Sequence, residues 1–125
     1  MPTRLLLVDD EETIREVGSS MLSNQGYECV QAGDGEEALA LFDSGEKFDL
    51  VLLDVLMPKV DGLMVLETLK KRYPELPVLM VCAVSDQQVI KRTLELGAFA
   101  YLICPFERKE LLEAVQGALA SVGKS

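Results

Sequence analysis

The chain contains no histidine and no tryptophan, and its 125 residues include only three cysteines. The absence of histidine removes the commonest general base and the commonest ligand of transition metals. The cysteines, Cys29, Cys82 and Cys104, are odd in number and widely spaced, so they form no Cys-x-x-Cys motif and no disulfide framework. The sequence therefore offers little for histidine-based catalysis or for a fold held together by disulfides.

Long apolar runs and basic residues are also scarce. No apolar run approaches the roughly 20 residues of a membrane span, and the N-terminal stretch "MPTRLLLVDDEE" turns acidic too early for a signal peptide. Twelve basic against 21 acidic residues give a net charge of −9, which opposes nucleic-acid binding because phosphate contacts need lysine and arginine. We therefore expect a cytoplasmic chain that binds neither membrane nor nucleic acid, with an acidic surface suited to divalent metal.

Two kinds of segment alternate along the chain, with no linker or repeat between them. Five short runs are hydrophobic almost throughout, which is typical of strands buried on both faces of a parallel sheet. They lie at residues 4–9, 27–32, 49–54, 77–83 and 100–104. After each run, apolar residues recur at helical spacing. The alternation predicts a single α/β domain, residues 1–125, with five parallel strands and helices on both faces of the sheet.

Capping and turn residues mark the predicted helix boundaries. Asp61 and the pair Ser85 and Asp86 stand directly before helical stretches, where side-chain caps are common. Glycines stand just past three predicted helix ends, at Gly26, Gly45 and Gly97. The stretch "GDGEEA", residues 33–38, matches a dinucleotide-binding fingerprint. Its acids crowd the place of a pyrophosphate, so we interpret it as a turn followed by an acid-rich helix start.

Acidic residues stand at the ends of two predicted strands. Asp9 and Asp10 close the first apolar run, and Asp54 closes the third. Sites in such sheets lie beyond the carboxyl ends of the strands, and these two strands are usually neighbours, so the three carboxylates should converge. A hard divalent cation would relieve their mutual repulsion, and Mg2+ is the physiological choice. Asp10 alone could instead be a helix cap.

Asp54 also suits nucleophilic chemistry. It is followed by "VLMPKVDG", whose proline and glycine shape a loop that would keep the carboxylate open to solvent. A carboxylate can attack phosphorus and form an acyl phosphate. A bound metal would stabilise the charge on the transferring phosphoryl oxygens.

Four motifs together resemble those of bacterial response-regulator receiver domains: "LLLVDDEE", "DLVLLDVLMPKVDGL", "PVLMVCA" and "GAFAYLICPF". The resemblance covers nearly the whole chain and implies a flavodoxin-like (βα)5 fold with strand order 2-1-3-4-5. It implies that Asp54 is the phosphoacceptor and that Asp9, Asp10, Asp54 and the backbone carbonyl of Leu56 bind Mg2+. Tyr101 matches the aromatic residue whose rotamer reports phosphorylation.

The resemblance also implies partners. Family members accept a phosphoryl group from a histidine kinase or a phosphotransfer protein. They act on a downstream protein through the face formed by the fourth helix, the fifth strand and the fifth helix. Such a domain is a signalling phosphoacceptor rather than an enzyme, and at most it catalyses its own phosphotransfer and dephosphorylation.

Two positions depart from the family pattern. Cys82 stands where the fourth strand normally ends in threonine or serine, and Cys104 replaces the lysine at the end of the fifth strand. Cys104 cannot supply the cation that contacts the phosphoryl group. The Cys82 thiol is a weaker hydrogen-bond donor than a hydroxyl, so coupling from Asp54 to Tyr101 should weaken.

The two cysteines leave other functions open. A disulfide between them would make the site a thiol redox switch, and two thiolates with two aspartates would suit Zn2+. Alternatively, two small residues simply fill a disused site in a degenerate receiver that acts by protein–protein contact. A flavodoxin-like protein for FMN or a phosphorylated ligand is a further class. The lack of tryptophan and of a Ser/Thr-rich loop after the first strand opposes FMN.

The double replacement predicts that phosphorylation is slow or that it switches the domain poorly. Losing one electrostatic contact of this kind often raises the activation free energy by about 3 kcal/mol. Incubation with acetyl phosphate and Mg2+, followed by intact-mass measurement, tests the expectation. Rapid and near-complete addition of one phosphoryl group, with a large shift in the Tyr101 signals, would contradict it.

Overall fold

A computed structural model of the chain describes residues 3–55, 61–82, 86–104 and 106–123. Within these ranges, strands and helices alternate as the apolar runs predict. They are β1 (Arg4–Val8), α1 (Glu12–Ser23), β2 (Glu28–Ala32), α2 (Gly35–Asp43), β3 (Leu50–Asp54), α3 (Gly62–Arg72), β4 (Val78–Cys82), α4 (Gln87–Glu95), β5 (Ala100–Ile103) and α5 (Arg108–Ser121). Every helix in the described ranges is too short or too polar to cross a membrane.

The strands form one parallel sheet in the order β2-β1-β3-β4-β5. This order confirms the flavodoxin-like fold that the motifs imply. Val8 of β1 is in register with Leu53 of β3, so the next residues, Asp9 and Asp54, come side by side. The sheet register therefore brings the two acidic strand ends to one edge.

Apolar layers cover both faces of the sheet, because strand residues alternate between them. Leu6, Val8 and Leu53 belong to the layer that includes α2 and α3, with Val89 of α4 packed against it. The opposite layer combines the alternate strand residues with α1 and α5. Burial on both faces explains why the strands are hydrophobic almost throughout and confirms the expected placement of helices on both sides.

Most predicted caps and turns are present. The Asp61 carboxylate accepts from the Leu63 N–H at 2.7 Å, and the Asp86 carboxylate accepts from Gln88 at 2.8 Å. Ser85 lies outside the described residues. Three glycines have positive φ angles of 93°, 95° and 105°, as their places past helix ends require: Gly26, Gly45 and Gly97.

The two acidic helix starts differ in how well the sequence predicts them. Asp34 caps α2 by accepting from the Glu37 N–H at 2.8 Å, which agrees with the turn and helix start expected for residues 33–38. The helix-cap alternative for Asp10 is wrong, because the N-cap of α1 is Glu11. An Asp9 oxygen accepts from the Glu11 N–H at 2.9 Å, and this Asx turn delays the helix start by one residue.

Candidate functional site

Three carboxylates meet at the carboxyl ends of β1 and β3. One oxygen each from Asp9, Asp10 and Asp54 lies within 4.8 Å of the others. Asp9 is buried, Asp54 is half-buried and Asp10 is exposed, so the cluster opens from the sheet edge toward solvent. A set of carboxylate oxygens at this spacing is the donor chemistry that a hard divalent cation of the size of Mg2+ prefers.

Asp9 is bonded through its main chain and its side chain. Its N–H donates to the Ala32 carbonyl at 3.2 Å, and its carbonyl oxygen accepts from Nη1 of Arg15 at 2.6 Å. Burial raises the pKa of the Asp9 carboxyl above its ordinary value. The Glu11 N–H opposes this effect, whereas the charges of Asp10 and Glu11 add to it. The ionised Asp9 therefore carries a desolvation cost that the site must offset.

Gly62 lies against the main chain directly after the site. A Cβ atom at Gly62 would lie 2.1 Å from the Asp54 carbonyl oxygen and 2.8 Å from the Cα of Val55. The Gly62 N–H also donates to the Val55 carbonyl at 3.0 Å. Because only glycine permits this approach, α3 begins directly against the end of β3 and fixes the backbone that carries Asp54.

The other residues that the motifs single out lie at the ends of β4 and β5. Tyr101 is in register with Met80 and packs, partly buried, in the layer of α2 and α3. Cys104 packs against the opposite layer. The backbone of Cys82 pairs with Ile103, but its side chain lies outside the described part of the structure. The disulfide and Zn2+ alternatives therefore stay predictions.

Leu56, the predicted carbonyl ligand, and Pro58 both lie outside the described residues. The metal set that the structure describes is therefore limited to the three carboxylates.

Sequence reasoning did not single out Arg15. Together with Asp9 and Asp54, this residue lines a cavity of about 30 Å³ between α1, the sheet and the start of α5. A basic residue placed one turn into the helix that follows an acidic strand end is the signal that could have identified it. Position alone does not reveal which atom it contacts, because the side chain turns back toward the strand.

Comparison with known proteins gives consistent matches. A family model described as the response regulator receiver domain matches residues 5–116. The probable transcriptional regulator ycf27 of Porphyridium aerugineum is 41% identical over 122 residues, 98% of this chain and 50% of the relative. The transcriptional regulatory protein PdtaR of Mycobacterium tuberculosis is 38% identical over 122 residues, 96% of this chain and 58% of the relative. The chain spans about half the length of the curated relatives it matches.

A solved structure extends the comparison to three dimensions. The response regulator receiver domain protein (CheY-like) of Methanospirillum hungatei JF-1 superposes with a TM-score of 0.92 at 30% sequence identity. The match covers 98% of this chain and 97% of that one. The similarity therefore extends over essentially the whole length of both chains.

Replacing Gly62 with alanine should destabilise the chain, because the added Cβ cannot remain 2.1 Å from the Asp54 carbonyl oxygen. We expect the free energy of unfolding to fall by about 1–3 kcal/mol, the usual cost of overpacking, as measured by urea denaturation. Gly117→Ala is the matched control, because its nearest neighbour, the Phe99 ring, is 3.8 Å away. That helical substitution should be neutral or stabilising. Equal losses of unfolding free energy in the two variants would contradict the close approach of Gly62 to the Asp54 carbonyl oxygen.

The raised pKa of Asp9 predicts how the stability of the metal-free chain depends on pH. An acid with a raised folded pKa favours folding while protonated, and this contribution is lost as pH rises from about 3.8 through the folded pKa. Asp9→Asn keeps an acceptor for Glu11 and removes the charge. It should therefore raise Tm at pH 7, and its advantage over the wild type should shrink below pH 3.8.

The control for this measurement is Asp10→Asn, which removes an equal charge from an exposed position. Its effect on the Tm of the metal-free chain should be smaller than that of Asp9→Asn. A lower Tm for Asp9→Asn than for the wild type at pH 7 would show that the buried charge is not a cost.

Proposed function

Because the chain belongs to the response regulator receiver domain family, we propose that Asp54 accepts a phosphoryl group and that Asp9, Asp10 and Asp54 bind Mg2+. The observation that carries the proposal is the approach of the three carboxylates to within 4.8 Å of one another. Like charges at this distance are costly without a cation. The Leu56 carbonyl completes the proposed set by family resemblance.

The structure around Asp54 suits a nucleophile that must be presented in a fixed position. Beyond Asp54, the Val55 N–H donates to the Val81 carbonyl at 3.3 Å, and the Val55 carbonyl accepts from Gly62. Hydrogen bonds at both the N–H and the carbonyl of Val55 hold the strand end in place, which lowers the entropic cost of reaching the transition state. The carboxylate itself stays half-buried at the open edge.

In the proposed reaction, one Asp54 carboxylate oxygen attacks the phosphorus of the donor. The new O–P bond forms as the bond from phosphorus to the leaving group breaks, and the leaving group takes that electron pair. Bound Mg2+ would neutralise charge on the carboxylates and on the transferring phosphoryl oxygens. Asp9 and Asp10 act in this scheme by holding the cation beside Asp54.

Because of Cys104, we expect Asp54 of this chain to be phosphorylated more slowly than the phosphoacceptor of other family members. Its thiol packs against an apolar layer and replaces the lysine of the family pattern. We expect the transition state to lack one electrostatic contact, which corresponds to roughly a 100-fold slower reaction. The domain would still be phosphorylated, but slowly.

The proposed partners are a histidine kinase or phosphotransfer protein as donor and a downstream protein as target. Three large apolar side chains are exposed by 43–47% on α4, on β5 and between them: Leu94, Phe99 and Ile103. Exposed apolar side chains on these two elements and the segment between them favour a protein contact there. The net charge of −9 favours protein over nucleic acid as the partner of these residues. The domain would therefore act as a cytoplasmic signalling module rather than as an enzyme.

Acetyl phosphate labelling, measured by intact mass with and without Mg2+, tests the proposal. The wild type should slowly gain one phosphoryl group only when Mg2+ is present, and Asp54→Asn should gain none. Cys104→Lys should react up to about 100-fold faster. Ile103→Lys places the same charge one residue earlier at an exposed position and should accelerate the reaction less. Labelling of Asp54→Asn, or wild-type labelling that is equally fast without Mg2+, would overturn the assignment of Asp54 and of the Mg2+ site.

A further inference from the structure

Arg15, near the start of α1, contacts the strand that precedes its helix. Its Nη1 donates to the Asp9 carbonyl oxygen at 2.6 Å, across six residues of sequence. That carbonyl belongs to the peptide that joins Asp9 to Asp10. A hydrogen bond from a charged donor is roughly twice as strong as a neutral one. The guanidinium therefore restrains the main chain between two of the three carboxylates.

The contact completes a set of bonds that fix this turn. The Asp9 N–H is bonded to the Ala32 carbonyl at 3.2 Å, and an Asp9 oxygen accepts from the Glu11 N–H at 2.9 Å. The amide N–H, the side chain and the carbonyl of Asp9 thus all form hydrogen bonds. Of these three bonds, only the one to the carbonyl has its donor on another residue's side chain, so a substitution can remove it and leave the backbone bonds unchanged.

Within the described residues, no ion pair joins Arg15 to a carboxylate. Its Nε is fully buried and has no acceptor in the same part of the structure. The cavity of about 30 Å³ beside it also borders Asp9 and Asp54 and has room for about one water. Arg15 as a whole is half-buried, and the hydrogen bond from its Nη1 to the Asp9 carbonyl oxygen is the contact that links it to the acidic site.

We propose that Arg15 is the positioning residue of the acidic site, which holds the Asp9–Asp10 peptide so that both carboxylates face the bound cation. The consequence for metal rests on the proposed Mg2+ site, whereas the restraint on the main chain does not. An experiment with two arms therefore tests the main-chain restraint by Arg15 separately from the proposed Mg2+ site.

The first arm is metal-free and measures amide hydrogen exchange. Arg15→Met removes the charge and the donors but keeps a flexible chain that suits the apolar walls of the cavity. The amides of Asp9 and Glu11 should exchange about tenfold faster than in the wild type, whereas the amide of the core residue Val115 should be unchanged. Arg72→Gln is the control, because it removes an arginine whose ion pair with Asp43 is exposed at the end of α3.

The second arm measures the Mg2+ dissociation constant by calorimetric titration of the same variants. Loss of positioning should weaken binding by about tenfold in Arg15→Met. Loss of a nearby positive charge alone would do the opposite and tighten binding, because cations repel one another. Arg15→Lys, which keeps a donor, should lie between Arg15→Met and the wild type, and Arg72→Gln should match the wild type.

The outcomes are distinct. Faster exchange at Asp9 and Glu11 together with weaker Mg2+ binding supports the proposal. Unchanged exchange in Arg15→Met, or tighter binding of Mg2+, overturns it. A wild-type chain that binds no Mg2+ would overturn the metal site of the proposed function, and the exchange arm would still decide whether Arg15 restrains the turn.

Discussion

Repulsion among the carboxylates of Asp9, Asp10 and Asp54 is the constraint around which this edge of the domain is organised. The register of β1 with β3 brings the acids together, and the apolar layers on both faces of the sheet bury the alternate side chains of these strands. The repulsion is therefore imposed by the packing of the whole domain. Under the proposed function, a bound cation would offset this repulsion, which links the fold to its proposed chemistry.

The main chain around the acids is restrained from two directions. Gly62 lets α3 start in contact with the end of β3, and Arg15 holds the peptide after Asp9 from α1. Both contacts act on backbone atoms rather than on the carboxylates themselves. Asp9 is the buried member of the cluster, with a pKa raised chiefly by desolvation, and it would gain most from a neighbouring positive charge.

Much of this could be predicted from the sequence, because parallel strands buried on both faces read as continuous apolar runs and their ends mark the site edge. Periodicity alone gives the alternation of elements, whereas the strand order required the motif resemblance. The helix-cap alternative for Asp10 was wrong because an Asx turn at Asp9 adds one residue before α1. Arg15 was missed because its role depends on a long side chain folding back onto the main chain, which residue spacing does not encode.

Calorimetric titration of the metal-free wild-type chain with Mg2+ shows directly whether the three acids form one cation site. We expect one saturable site per chain, which should disappear when Asp9, Asp10 and Asp54 are all replaced by asparagine. Absence of saturable binding in the wild type, or binding that survives the triple replacement, would contradict it.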